Sequence, residues 1–248
     1  MTYCCGVLVR DGLVMIADTR TNAGLDNIST FRKLHVFQKP GRHSLMIATA
    51  GNLAATQSVV ALLTEGFEDP ETSSIRKLED ETSMFAAAQL VGRAVRRVRA
   101  LEGDVYGQSG VSFEVSFLFG GQMTGERLRL FMVYAAGNFI ECTKDMPFLQ
   151  IGEHKYGKPI LDRAVTYETG LYEALKLALI SMDSTMRSNL GVGLPIDIAV
   201  LRRDALALEV DHRIDYTDPY FHDLTDRWSA ALRAAHTNIP TPPYGQGR

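Results

Sequence analysis

The 248-residue chain has no run of eighteen apolar residues, so no helix of it is expected to span a membrane. It holds only three cysteines, two of them adjacent, too few for a disulfide framework and in keeping with a reducing compartment. Six histidines show no ligand spacing, and no metal or cofactor is expected. A formal net charge of −3 gives no electrostatic footprint for nucleic acid or an anionic membrane. The first residues lack a charged segment, an apolar core and a small-residue cleavage site, so the expected location is cytoplasmic. No internal repeat occurs. What remains is ordinary for a globular protein, with 46% hydrophobic and 22% charged residues, enough for one large domain or two small ones.

The most informative stretch is the first. An apolar run to Val9, the turn Arg10-Asp11-Gly12 and a second apolar run from Leu13 to Asp18 predict a buried β-hairpin. Such a hairpin returns Asp18 to the start of the first strand. Asp18 ends an apolar strand, where an unpaired carboxylate is costly, so it requires a partner. Lys33 opens the next strand-like run, Lys33 to Phe37. Cys4 and Cys5 alternate across the first strand and read as buried structural thiols.

Further along, His43–Ala50 predicts a strand, and Leu53–Glu65 a helix with Leu53, Val60, Leu62 and Leu63 available to its buried face. Gly66 ends it. Residues 67–82 read as a loop with a short helix around Ile75–Leu78, and a second helix runs from about residue 82 to Glu102. The basic face of that helix, Arg93, Arg96, Arg97 and Arg99, reads as a solvated outer face. Val111 to Phe119 alternates as a strand; Gly120-Gly121 and Gly125 bracket a turn; Leu128–Ala135 is the hairpin partner and Phe139–Cys142 a short strand. Pro159 at a first helical position opens a helix through Val165. Leu171 to Arg187 predicts a long helix with Leu171, Leu175, Leu179 and Met182 on one stripe. Ile196–Leu201 and Leu206–Val210 form a strand pair, and Asp218-Pro219 caps a last helix to about Ala235.

Strand hairpins separated by helical pairs suit an α+β fold, a four-layer αββα sandwich of two antiparallel sheets. The expected organisation is one domain over 1–235, with an extension after about 202 that ends in a helix. Residues 236–248, with too little apolar surface to order alone, are expected to form a flexible tail.

A hydroxyl is a poor nucleophile at neutral pH without an adjacent base. A threonine that begins a chain has one in its own α-amine, whose unperturbed pKa of about 8 leaves a fair fraction neutral at pH 7. Thr2 qualifies once Met1 is removed.

Thr2, the hairpin, the run Ala17-Asp18-Thr19-Arg20-Thr21-Asn22-Ala23-Gly24 and Lys33 together resemble proteasome β-type subunits and their bacterial ancestral branch. The match is near word for word from Met1 to Lys33, and a coarser correspondence runs to about Leu201. The Asp18 to Lys33 spacing is one residue shorter than the family's. The resemblance implies the sandwich fold and an N-terminal-nucleophile threonine hydrolase that cleaves peptide or amide bonds through an acyl-enzyme. It implies Thr2, Lys33 and Asp18 as the catalytic group, with the Gly51 N–H stabilising the oxyanion. The Thr21 and Asn22 backbone would hold the substrate as an added strand. Asp183 and Ser188 are candidates for the family's supporting Asp and Ser, although they stand five apart rather than three. Glu153 follows Gly152 where the family has a serine. The resemblance also implies a large homo-oligomer, ring or spiral, and assigns no ATPase partner. A small-molecule amidohydrolase of the same fold and a self-assembling scaffold with a vestigial site are the alternatives.

Overall fold

The computed structural model describes residues 1–22, 28–69, 73–108 and 112–244, and the side chains of 22, 28 and 104–108 are outside that description. The hairpin forms as β1 (Tyr3–Val9) and β2 (Gly12–Asp18), in a register that pairs Cys4 with Ala17. Every residue of both strands is buried. This is why the stretch is apolar throughout rather than alternating, since layers lie on both faces. Then come β3 (Arg20–Asn22), β4 (Ile28–Thr30), β5 (Leu34–Lys39) and β6 (His43–Gly51).

Helix α1 (Leu53–Glu65) starts where Asn52 accepts a hydrogen bond from the Ala55 N–H at 3.1 Å, and it stops at Gly66. Its buried face is Ala55, Thr56, Val59 and Leu63, while Leu53, Val60 and Leu62 are only half-buried. The small side chains let α1 lie close, so the larger ones expected inside sit on its flanks. Short strands β7 (Phe67–Glu68) and β8 (Ile75–Arg76) follow, then a 3-10 turn at Leu78–Asp80, so the helix expected around Ile75 begins only at Leu78. Helix α2 (Met84–Gln108) outruns its expected end. Of its basic face, Arg96, Arg97 and Arg99 are exposed, whereas Arg93 reaches in to the buried Asp69.

Strand β9 is Val115–Met123 and pairs with β10 (Arg129–Val133), which pairs with β11 (Phe139–Glu141). Val111, the expected start of β9, lies outside the described residues. Gly120 and Gly121 are not in a turn but within the strand. A Cβ on Gly121, whose φ is +146°, would stand 2.2 Å from the Ser44 carbonyl oxygen, so glycine here lets two backbones meet. Strand β12 (Phe148–Gly152), which no sequence pattern marks, borders β1. Helix α3 (His154–Ala164) begins five residues before Pro159, which lies inside it rather than opening it. Helix α4 (Leu171–Ser188), β13 (Ile196–Arg202) and β14 (Leu208–Ile214) complete the first compact unit, Met1–Tyr216. The second unit, from Thr217, holds α5 (Pro219–Thr237), capped by the Asp218 carboxylate at the Phe221 N–H.

The first unit is the four-layer sandwich. One sheet runs β12-β1-β2-β13-β14 and the other β11-β10-β9-β6-β5. Cys4, Leu8, Leu13 and Met15 meet Met46, Leu118 and Leu130 between the sheets. Helices α1 and α2 pack on the second sheet over Leu45, Phe117 and Phe131. Helices α3 and α4 cover the first sheet, where the Tyr3 hydroxyl meets the Ser181 hydroxyl at 2.5 Å.

Gly121→Ala should cost more than about 3 kcal/mol, because the backbones must separate. Gly125→Ala has a φ of +79° but nothing within 4 Å, and should cost only about 1–2 kcal/mol for the left-handed backbone. Chemical denaturation of the two variants checks the difference.

Candidate active site

Asp18 is fully buried, and its carboxylate is met from three directions. The Tyr3 N–H donates to Oδ1 at 3.0 Å, the Lys33 ammonium donates to the same oxygen at 2.9 Å, and the Gly193 N–H approaches Oδ2 at 3.4 Å. The hairpin brings Tyr3 there, because the register that pairs Cys4 with Ala17 sets the next residues of each strand side by side. Lys33, 3% exposed, immediately precedes β5 and also donates to the Arg20 carbonyl at 2.6 Å. Burial pushes the Asp18 carboxyl above its ordinary value, and Lys33 and the Tyr3 and Gly193 N–H groups pull back without cancelling it.

Thr2 is 8% exposed and held by its carbonyl, which accepts the Glu153 N–H at 2.8 Å. Gly152 makes that approach with a φ of +79°, and a Cβ there would lie 2.0 Å from the Thr2 carbonyl oxygen. Gly51 ends β6 with a φ of +107°, and a Cβ on it would lie 2.0 Å from the Glu114 carbonyl oxygen. Both positions therefore require glycine.

Two cavities meet at Met1, Thr2, Ala50 and Gly51. One, of about 620 Å³, is also lined by Thr21, Lys33, Thr49, Leu53 and Thr56. The other, of about 610 Å³, is also lined by Glu114, Val115, Ser116, Tyr134, Gly152 and Glu153. Thr2, Lys33, Gly51 and Thr21 thus share one cavity, with Asp18 bonded beneath Lys33. The backbones of Thr21 and Asn22 lie in β3, paired with Ser29 and Ile28 of β4. The Asn22 side chain and Gly24 lie outside the described residues. Among the described residues, the buried Thr21 hydroxyl has no hydrogen-bond partner.

Asp183 and Ser188 line neither cavity. Asp183 is buried in α4 and receives Arg187 Nε from one turn on, at 3.3 Å, and Ser188 is exposed in the last turn. The loop after α4 reaches the site in their stead. Its Gly193 N–H contacts Asp18, and its Pro195 carbonyl accepts both the N–H and the hydroxyl of Thr19. Arg20 donates to the Leu190 carbonyl and packs where a Cβ on Gly193 would lie 2.3 Å from its Cζ. Sequence reasoning missed this loop, although Gly191-Val192-Gly193 ahead of Pro195 was its signal.

All three cysteines are free and buried. Burial pushes the Cys5 and Cys142 thiols up to about 12 and raises Cys4 as well, so the thiols are protonated at neutral pH. No group of three or more His, Cys, Asp or Glu able to hold a metal ion occurs among the described residues. Among them, too, no helix is long and apolar enough to cross a membrane.

Two five-stranded sheets between helical layers, with an Asp–Lys pair beneath the second residue, define a proteasome-type sandwich. Residues 2–201 match the model of the family described as proteasome subunit, and the chain belongs to that family. Among solved structures it is similar to Anbu, the ancestral β-subunit, from Yersinia bercovieri, at 46% identity. That match covers 98% of this chain and 100% of that one, with a TM-score of 0.88. The helical assembly of the Anbu complex from Pseudomonas aeruginosa matches at 44% identity over 99% and 100% of the two chains, with a TM-score of 0.90. A Gly-1 mutant of Anbu from Hyphomicrobium sp. strain MC1 matches at 47% over 98% and 99%, with a TM-score of 0.88. No curated protein matches the chain.

The raised Asp18 value has a sign that can be measured. The native carboxyl holds its proton more tightly than the unfolded one. Its contribution to stability is therefore full below the usual value of 3.8 and is lost as pH rises through the raised native value. The stability of the parent chain minus that of Asp18→Asn, from urea unfolding, should fall across that window. A difference that grows with pH would show that the Lys33 charge outweighs burial.

Proposed function

We propose that the chain is an N-terminal threonine hydrolase of the proteasome β type, acting on peptide bonds once Met1 is removed. The observation that carries the reading is the buried Asp18–Lys33 pair, with Lys33 lining the cavity that holds Thr2. With Met1 attached the Thr2 nitrogen is an amide and cannot accept a proton. Met1 also lines both cavities and so occupies substrate space. Removal of Met1 creates the base and opens the cleft in one step.

The neutral Thr2 amine takes the Oγ proton as Oγ attacks the substrate carbonyl carbon. The Lys33 ammonium, held by Asp18 and the Arg20 carbonyl, stabilises the developing negative charge and assists the proton's transfer. The carbonyl oxygen becomes an oxyanion facing the Gly51 N–H. Collapse breaks the C–N bond, and the Thr2 ammonium gives its proton to the leaving amine. Water then attacks the ester with the Thr2 amine as base, and a carboxylic acid and free Thr2 result. The β3 edge, with Thr21 and Asn22, offers its backbone to the acyl half of a peptide.

Self-association belongs to the same proposal. The Pseudomonas aeruginosa relative forms a helical assembly, and enclosure would keep the site from folded proteins in the cytoplasm. Asp183 and Ser188 lie in α4, whose end leads into the 189–195 loop.

A chain beginning at Thr2 should gain one covalent adduct of an epoxyketone probe in intact-mass measurement, whereas a form with an uncleavable residue before Thr2 should not. Thr2→Ala should abolish turnover and Thr2→Ser should retain part of it. Lys33→Ala and Asp18→Asn should each lower kcat/KM by about 10²–10⁴-fold and combine non-additively. Equal turnover by blocked and processed forms would overturn the assignment, and a folded, assembling but unreactive chain would make the scaffold reading the better one.

A further inference from the structure

The Glu114 and Glu153 end of the second cavity is not used by the chemistry above, yet the cavity opens directly at Thr2. We infer that this cleft receives the leaving-amine half of the substrate and selects peptides with a Lys or Arg directly after the scissile bond and apolar residues beyond it. The inference rests on the proposed hydrolase reading and names its substrate class.

The carbonyl under attack must sit between Thr2 and Gly51, and both residues line both cavities. The two halves of a substrate therefore leave that point in opposite directions. The half that pairs with the β3 edge enters the cavity with Thr21 and Lys33, so the amine half enters the other. The two ends differ in charge. Lys33 is the charged side chain lining the first, whereas Glu114 and Glu153 line the second, which has no Lys or Arg in its wall. The Glu153 side chain is 17% exposed, and its nearest ion-pair partner is Lys155, 67% exposed and 3.8 Å away. A long, loose contact of that kind contributes little, and it leaves a mostly desolvated carboxylate at the cavity wall. The Glu153 backbone is held beside Thr2, because its N–H is bonded to the Thr2 carbonyl and the preceding Gly152 can have no Cβ. A cation placed just after the scissile bond lies within reach of the Glu153 carboxylate.

The cleft does not end there. Ser116, Tyr134 and Gly152 also line a further groove of about 520 Å³. Its wall is mainly apolar, with Met132, Ile140, Met146, Phe148, Leu149 and Ile151 contributed by β10, β11, β12 and the segment before β12. The one lysine in it, Lys158, is paired with Asp162 at 2.5 Å. Ile140 and Met146 are 44% and 46% exposed, apolar surface that an extended chain would cover. A small amide would fill only the space around Thr2. An extended peptide accounts for the whole length, with a cation at Glu153 and Glu114 and apolar residues along the groove.

The test uses the full chain processed to begin at Thr2, with epoxyketone adduct formation measured alongside turnover. Internally quenched peptides that share one acyl half and carry Lys, Ala or Glu after the scissile bond are compared, and the Lys-to-Glu ratio of kcat/KM is read. The expected order is Lys, Ala, Glu, with a Lys-to-Glu ratio of roughly tenfold or more. That ratio should approach one in E114Q/E153Q, read within the variant so that any change in overall rate cancels. In the parent chain it should shrink as salt rises from about 0.01 to 0.5 M, a measurement that stands even if the double variant fails to fold. In Ile140→Asp, the gain from a Leu two positions after the bond should fall. Adduct formation with a ratio near one would overturn the inference alone, whereas turnover of small amides but of no peptide would overturn the peptide-bond reading with it. Absence of any adduct would overturn the hydrolase reading beneath it.

Discussion

The contact on which the rest of the first unit depends is the one between Asp18 and Lys33. Both side chains are almost wholly buried, and charges brought out of water lose several kcal/mol each unless they are paired and hydrogen-bonded. Here the compensation is drawn from four parts of the chain. β1 supplies the Tyr3 N–H, the loop after α4 supplies the Gly193 N–H, the residue before β5 supplies the ammonium, and the start of β3 supplies a carbonyl to that ammonium. Removing either partner would leave the other as an uncompensated charge, so the pair fixes where these four segments meet. A site assembled in this way is rigid before any substrate arrives, which is what positioning a reacting group requires.

Much of this was legible because it is local. The hairpin, with its turn at Arg10-Asp11-Gly12, returns Asp18 to Tyr3 by strand geometry alone, and a carboxylate in an apolar run demands a partner; that the partner is Lys33 followed from the family resemblance, since Arg20 and Arg32 stand nearer in sequence. Helices with a strong cap or stop, such as α1 between Asn52 and Gly66, were legible for the same reason. The features that escaped depend on what lies across a layer. Gly120-Gly121 reads as a turn until Ser44 is seen against it, and Pro159 reads as a helix start until α3 is seen to begin at His154. Strand β12 is short and carries a glycine at its end, so its propensity is weak and its pairing with β1 decides it. The loop at Gly191–Pro195 has no periodicity at all, and only its contact with Asp18 and Thr19 gives it meaning. Asp183 and Ser188 show the converse. Their residue types invited a role; in the fold Asp183 receives Arg187 from one helical turn on, and Ser188 is exposed.

Gly152 carries a consequence for how the chain could begin. Ends of chains usually fray, because nothing on one side restrains them. Thr2 is tethered by hydrogen bonds that do not involve its own nitrogen. Its carbonyl is held by the Glu153 N–H, a clasp that only a glycine at 152 permits, and the next amide is tied to Asp18. Neither tether passes through Met1. Cutting the peptide bond between Met1 and Thr2 would therefore release a residue without releasing the terminus, and the new end would inherit a position already decided by its neighbours. The ordering that a freshly exposed amine would otherwise have to undergo is built in during folding, when strands β1 and β12 zip together.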